Sequence, residues 1–126
     1  MRAVDTNVVV RLIARDDPRQ TEKAEDFISD GAWVSNLVFA ESVWVLESVY
    51  ELTKTQLRTA ISMLLEHQQL ILQEADAVRG ALEDFAAKRG VGFTDCLMVA
   101  VARKNGHLPV GTFDKKLSKL TDVQAI

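Results

Sequence analysis

The chain has 126 residues, a formal charge of −3 and a pI near 5.3. That is one domain over residues 1–126, too short for two. Its 48% hydrophobic and 26% charged residues exclude disorder, and no run approaches the roughly 18 apolar residues of a membrane-spanning helix. Its acidity argues against a broad basic nucleic-acid face. One cysteine, Cys96, can form no internal disulfide, and no leader precedes the first strand, so the expected compartment is the cytoplasm.

Arg2 to Val4 reads as a short buried strand leading into a helix from Asn7 to Ile13. Asp17-Pro18-Arg19-Gln20 is a helix start with Asp17 at N-cap and Pro18 at N1. That helix runs to about Ser29, with Gly31 past its end. A second strand covers Ala32 to Val34, and Ser35 or Asn36 caps a mostly apolar helix to about Tyr50. Thr53-Lys54-Thr55-Gln56 has capping-box spacing and opens a helix to about Gln68. Leu70 to Leu72 is a third strand, and Asp76 to Lys88 is helical, with apolar residues at Val78, Ala81, Leu82 and Phe85.

After a break at Gly90 to Phe93, Thr94 caps a helix from Asp95 to Lys104. Leu108 to Thr112 is a fourth strand, Asp114 to Leu120 a short helix or turn, and Val123 to Ile126 a fifth strand. Strands alternating with helices predict an α/β fold: a three-layer sandwich with a parallel sheet of about five strands, covered on both faces. In such sheets the ligand crevice opens beyond the carboxyl ends of the strands.

Four carboxylates stand in apolar settings. Asp5 interrupts Ala3 to Val10, Glu41 is the only charge between Trp33 and Leu46, Asp95 the only one in Val91 to Ala102, and Asp114 follows the apolar run Leu108 to Phe113. A buried, unpaired carboxylate costs several kcal/mol, so such groups are paired, protonated or metal-bound. If the fold gathers all four, their repulsion calls for a hard divalent cation, Mg²⁺ or Mn²⁺. Without these four acids the formal charge changes sign, so a local cationic rim of Arg11, Arg15, Lys115, Lys116 and Lys119 is compatible with an acidic chain.

Each acid also has a structural explanation. Asp5 can cap a helix, Asp95 can sit in a first turn, and Asp114 can belong to a turn. Glu41 has no capping job, and the apolar residues around it suggest that it points inward. Other chemistry has little support. His67 and His107 are solvated, and Cys96 reads as a small buried hydrophobe. No serine has a hydrolase-elbow setting and no Gly-rich phosphate loop exists. Trp33, Trp44, Phe39 and Phe85 read as core residues. Apolar excess in Val8-Val9-Val10 and Val43 to Leu46 reads as a dimer or partner surface.

Val4-Asp5-Thr6-Asn7-Val8, Phe39-Ala40-Glu41-Ser42-Val43-Trp44, Phe93-Thr94-Asp95-Cys96-Leu97 and Thr112-Phe113-Asp114, in this order, resemble the PIN-domain ribonucleases, in particular the VapC toxins of type II toxin–antitoxin pairs. The resemblance covers essentially the whole chain, departing at Cys96, where a small residue is commoner. It implies that Asp5, Glu41, Asp95 and Asp114 hold one or two Mg²⁺ or Mn²⁺ ions, with Thr6, Asn7 and Thr112 orienting ligands or water around them. The implied activity is metal-assisted endonucleolytic hydrolysis of RNA, with Arg11, Arg15, Lys115 and Lys116 as candidate RNA contacts. It further implies a homodimer held inactive by a VapB-type antitoxin. One alternative is a non-catalytic RNA- or protein-binding module on the same fold. Another, a receiver-type phosphotransfer domain, is disfavoured because only Asp5 marks the first strand and Lys104 follows a helix.

Overall fold

The computed structural model describes residues 1–126, which divide into two compact units, Met1–Ala75 and Asp76–Ile126. The first contains β1 (Arg2–Ala3), α1 (Thr6–Ala14), α2 (Pro18–Ile28), β2 (Ala32–Val34), α3 (Asn36–Ser48), α4 (Lys54–Glu66) and β3 (Leu70–Leu72). The second contains α5, which opens at the boundary (Ala75–Ala87), then α6 (Phe93–Lys104), β4 (Val110–Thr112), a short 3₁₀ helix (Leu117–Lys119) and β5 (Val123–Ala125). This is the alternating α/β order read from the sequence.

The capping chemistry explains where the helices of the first unit begin. Asp5 Oδ1 accepts from the Val8 N–H at 3.2 Å, and Asp17 Oδ1 accepts from Gln20 N–H at 3.0 Å, with Pro18 at the first helical position. Ser35 rather than Asn36 caps α3, its hydroxyl accepting from Val38 N–H at 3.1 Å. Thr53 and Gln56 close a reciprocal capping box. Gly31 turns the chain from α2 into β2 at φ +94°, a backbone region that favours glycine.

The three strands of this unit form one parallel sheet in the order β1-β2-β3, pairing Ala3 with Trp33 and Trp33 with Ile71. Burial alternates along β2 and β3: Ala32, Val34, Leu70 and Leu72 lie inside, while Trp33 is 37% and Ile71 53% exposed. Trp33 is therefore not a core residue, contrary to the sequence expectation. The two-residue period of a strand puts Trp33 opposite its buried neighbours, whatever its size.

Helix α3 shows the same effect at helical period. Phe39, Val43 and Leu46 form its buried stripe, and α3 packs on α1, in which Val9 and Val10 are buried. Leu37, Glu41 and Trp44 recur at i, i+4 and i+7 on the opposite side, where Leu37 is 77% and Trp44 59% exposed. Glu41 thus faces solvent, not the interior, and Trp44 is likewise a surface residue. Phe39 and Phe85 are buried as expected.

In the second unit, α5 and α6 bury Phe85 and Phe93, whose rings meet edge to face at 5.9 Å and 82°. Cys96 is fully buried in α6. That helix starts two residues earlier than the sequence suggested: Gly92 is its N-cap and supplies no side-chain bond, so Thr94 lies inside the first turn. Strands β4 and β5 pair in parallel, Val110 with Val123 and Thr112 with Ala125, as a separate two-stranded ladder. β4 begins at Val110, after Pro109, which has no N–H to give a ladder. Arg103 Nε donates to Asp122 Oδ2 at 2.8 Å and fastens α6 to the turn before β5.

Candidate functional site

In the first unit, the carboxyl ends of the strands carry Asp5 after β1, Ser35 after β2, and Gln73 and Glu74 after β3. Asp5 spends Oδ1 on the α1 cap and makes no other side-chain bond. Thr6 and Asn7 follow in the first turn of α1, and neither side chain bonds to a protein group. Gln73 donates its N–H to the Val34 carbonyl at 2.9 Å, and its side-chain Oε1 accepts from Asn36 N–H at 2.9 Å. Glu74 follows, with a buried Oε2 that has no hydrogen-bond donor. The sequence reading passed over Glu74 because a Gln-Glu pair after a strand looks like an ordinary solvated turn.

In the second unit, Asp95 lies half-buried in the first turn of α6, where free backbone N–H groups and the helix dipole favour an anion. Asp114 is exposed in the turn after β4. Its Oδ1 accepts from Lys116 N–H at 2.8 Å and Leu117 N–H at 3.2 Å, capping the 3₁₀ helix. Thr112 Oγ1 accepts from the Asp114 N–H at 2.9 Å and so orients the residue that follows β4. The structural jobs weighed for Asp5, Asp95 and Asp114 are therefore all present. None of them uses every carboxylate oxygen.

The ion pairs of the protein use Asp16, Glu25, Asp76 and Asp122. Asp5, Glu41, Asp95 and Asp114 take part in none, so no cation of the chain neutralises them. As hard oxygen donors they suit Mg²⁺ or Mn²⁺, whereas buried Cys96 and the two histidines do not form a softer site. His67 Nδ1 instead accepts from Gln69 N–H at 3.1 Å, and His107 is exposed. No three His, Cys, Asp or Glu side chains are grouped so as to hold a metal ion. The donor chemistry fits the ion; an assembled cage is not present.

The cationic candidates separate into two kinds. Arg11 is committed: its Nε donates to Gln20 Oε1 at 2.6 Å and its Nη1 to the Tyr50 hydroxyl at 2.9 Å, with Asp16 3.5 Å away. Tyr50 in turn donates to Asp16 Oδ2 at 2.9 Å. Arg15 pairs with Glu25 at 2.7 Å on the surface. Lys115 and Lys116 are exposed beside Asp114 and make no ion pair, although the Lys116 stem packs over Gly90.

Strand-end acids, an acid at the α6 N-terminus and an α/β order define a class that comparison makes explicit. The PIN domain family profile matches residues 2–123. The chain belongs to the PIN domain family, and such domains are generally metal-dependent nucleases. No curated protein and no solved structure shows significant similarity to it. No helix is long and apolar enough to cross a membrane.

Proposed function

We propose that the protein is a metal-dependent endoribonuclease of the VapC type, the toxin of a toxin–antitoxin pair acting in the cytoplasm. The observation that carries this reading is the family match over residues 2–123, together with four acids that no cation of the chain pairs. Both units would serve one catalytic domain, since the matched region spans them. Asp5, Glu41, Asp95 and Asp114 would hold one or two Mg²⁺ or Mn²⁺ ions.

Bound there, the metal would lower the pKa of a coordinated water and stabilise charge on the departing oxygen. The chain's own part is positional. The α1 cap fixes the Asp5 carboxylate through Oδ1, and Thr112 with the 3₁₀ turn fixes Asp114. Thr6 and Asn7 carry unspent polar groups beside Asp5, suited to hold a water or a ligand oxygen. Lys115 and Lys116 supply positive charge for an RNA phosphate. No activated serine or cysteine is present, so attack by water needs no covalent enzyme intermediate.

An antitoxin of basic, amphipathic character would suit the exposed stripe of α3, where Glu41 lies between Leu37 and Trp44. A homodimer would cover part of the same apolar surface. The non-catalytic alternative gains from the capping jobs of Asp5 and Asp114, which account for those residues without a metal.

The test is cleavage of structured RNAs by the purified chain in Mg²⁺ or Mn²⁺, beside EDTA and an identically prepared Asp95→Asn variant. Cutting that requires both the metal and Asp95 supports the nuclease. Equal behaviour of wild type and variant on every RNA, without metal binding, favours the non-catalytic module.

A further inference from the structure

Between α1 and α2 lies a cavity of about 370 Å³, walled by Asn7, Val8, Arg11, Gln20, Lys23 and Phe27, and no acid lines it. Its size falls in the range of small-molecule pockets, roughly 300–1,000 Å³. What sets it apart is the balance of its polar groups. Gln20 spends its Oε1 on Arg11 Nε, so its amide nitrogen remains to donate. Arg11 uses Nε and Nη1 in its bonds to Gln20 and Tyr50 and has Asp16 3.5 Å from Nη1, which leaves only Nη2 to donate. Lys23 makes no ion pair, and the Asn7 amide bonds to no protein group. The unspent groups are thus almost all donors, and Lys23 among them is an unpaired cation, which is the lining an anion selects.

The apolar part of the wall is equally specific. Phe27 is 36% exposed, and the Arg2 guanidinium stacks on its ring at 3.8 Å from the centroid. Arg2 Nη2 also donates to the Phe27 carbonyl at 2.8 Å, which fixes the pair. An exposed ring held in place beside unpaired donors suits a nucleobase next to its phosphate. A peptide segment would bring N–H groups as well as carbonyls, and this wall has few acceptors to meet them.

We propose that this cavity is a substrate subsite seating one nucleotide of single-stranded RNA, its phosphate on Lys23 and Arg11 and its base against Phe27. The proposal rests on the nuclease reading for its ligand, and Asn7, two residues after Asp5, connects the two sites along the chain. It adds a cationic contact, Lys23, that lies outside the acid motifs.

The test is binding without catalysis. A fluorescein-labelled single-stranded RNA of mixed sequence, about ten nucleotides long, is titrated with the full chain in EDTA and followed by anisotropy. Lys23→Glu is expected to weaken binding about tenfold or more, and Lys23→Gln by less. Arg58→Glu, the same charge change on α4, is expected to leave it within about twofold. The slope of log affinity against log salt should shrink by one phosphate contact, about 0.7, in Lys23→Gln. Circular dichroism confirms folding of each variant.

Unchanged affinity in both Lys23 variants overturns the proposal, as does an equal loss in Arg58→Glu, which would signal diffuse electrostatics. A basic amphipathic peptide that loses affinity in Lys23→Glu while RNA does not assigns the cavity to a protein partner instead. Lys23-dependent RNA binding without any cleavage keeps the subsite and sinks the nuclease. Cleavage that needs Asp95 with RNA binding indifferent to Lys23 sinks the subsite alone.

Discussion

Asp5 and Asp95 are the same residue at the start of a helix, yet the two sites treat them differently. Asp5 is the N-cap of α1, and its Oδ1 receives the Val8 N–H. Asp95 stands in the first turn of α6, whose cap is Gly92 and whose N-terminus has no side-chain acceptor. The first acid does part of the folding work; the second receives only the favourable field of the helix end. A functional role can therefore be separated from a structural one more cleanly at Asp95, and at Asp5 only by a substitution that keeps the cap.

The largest effect on stability should come from neither acid but from the packing behind α6. Phe93→Ala removes a buried ring that meets Phe85 edge to face, and is expected to lower unfolding free energy by about 3–5 kcal/mol in denaturant titration. A loss below 1 kcal/mol would mean that α6 is not anchored as described. Asp5→Ala comes next, at about 1 kcal/mol, because Val8 loses its acceptor. Asp95→Asn should cost only about 0.5 kcal/mol, the scale of a charge near a helix terminus. If the two acids cost the same, the contrast between them disappears.

The smallest effect concerns the ion pair of Asp76 with Lys104, at 2.7 Å in the second unit. The Lys104 hydrogen bond holds the Asp76 carboxyl below its ordinary value, with burial opposing slightly. A depressed folded-state pKa stabilises the fold at neutral pH and ceases to do so as pH falls through that value. The difference in urea midpoint between wild type and Asp76→Asn should therefore be small at pH 7 and vanish in acid. A difference that grows on acidification would contradict the pairing.

Much of the fold could be read from local chemistry. Asp17-Pro18 and Thr53 with Gln56 start helices where their capping groups predict, and Gly31 ends one at a positive φ. Orientation was harder to read. Helix α3 is apolar on nearly every side, so its sequence has little phase information, and Glu41 was expected to face inward. Packing of Phe39, Val43 and Leu46 decides the matter and turns Glu41 out. Trp33 and Trp44 were expected in the core, but strand alternation and helix phase place both at the surface.

The cations show the limit from the other direction. Arg11 was a candidate because it lies near Asp5 in sequence, but its charge is taken up by Asp16 and its donors by Gln20 and Tyr50. Its hydroxyl partner, Tyr50, comes from 39 residues away. Lys23 escaped notice because it lies far from the acids along the chain. Gln20, Lys23 and Phe27, at i, i+3 and i+7, do form one helical face, and that spacing was the available signal. The acid motifs themselves were legible and lie within the matched residues 2–123; their joint action is the part that requires experiment.

The most direct test uses Asp5→Asn, because asparagine caps a helix as well as aspartate but lacks the charge. Unfolding midpoint and RNA cleavage in Mg²⁺ are measured on the same preparation. An unchanged midpoint is expected, with cleavage reduced by about a hundredfold or more. Wild-type cleavage by this folded variant would show that Asp5 serves the helix alone and contradict its role as a metal ligand.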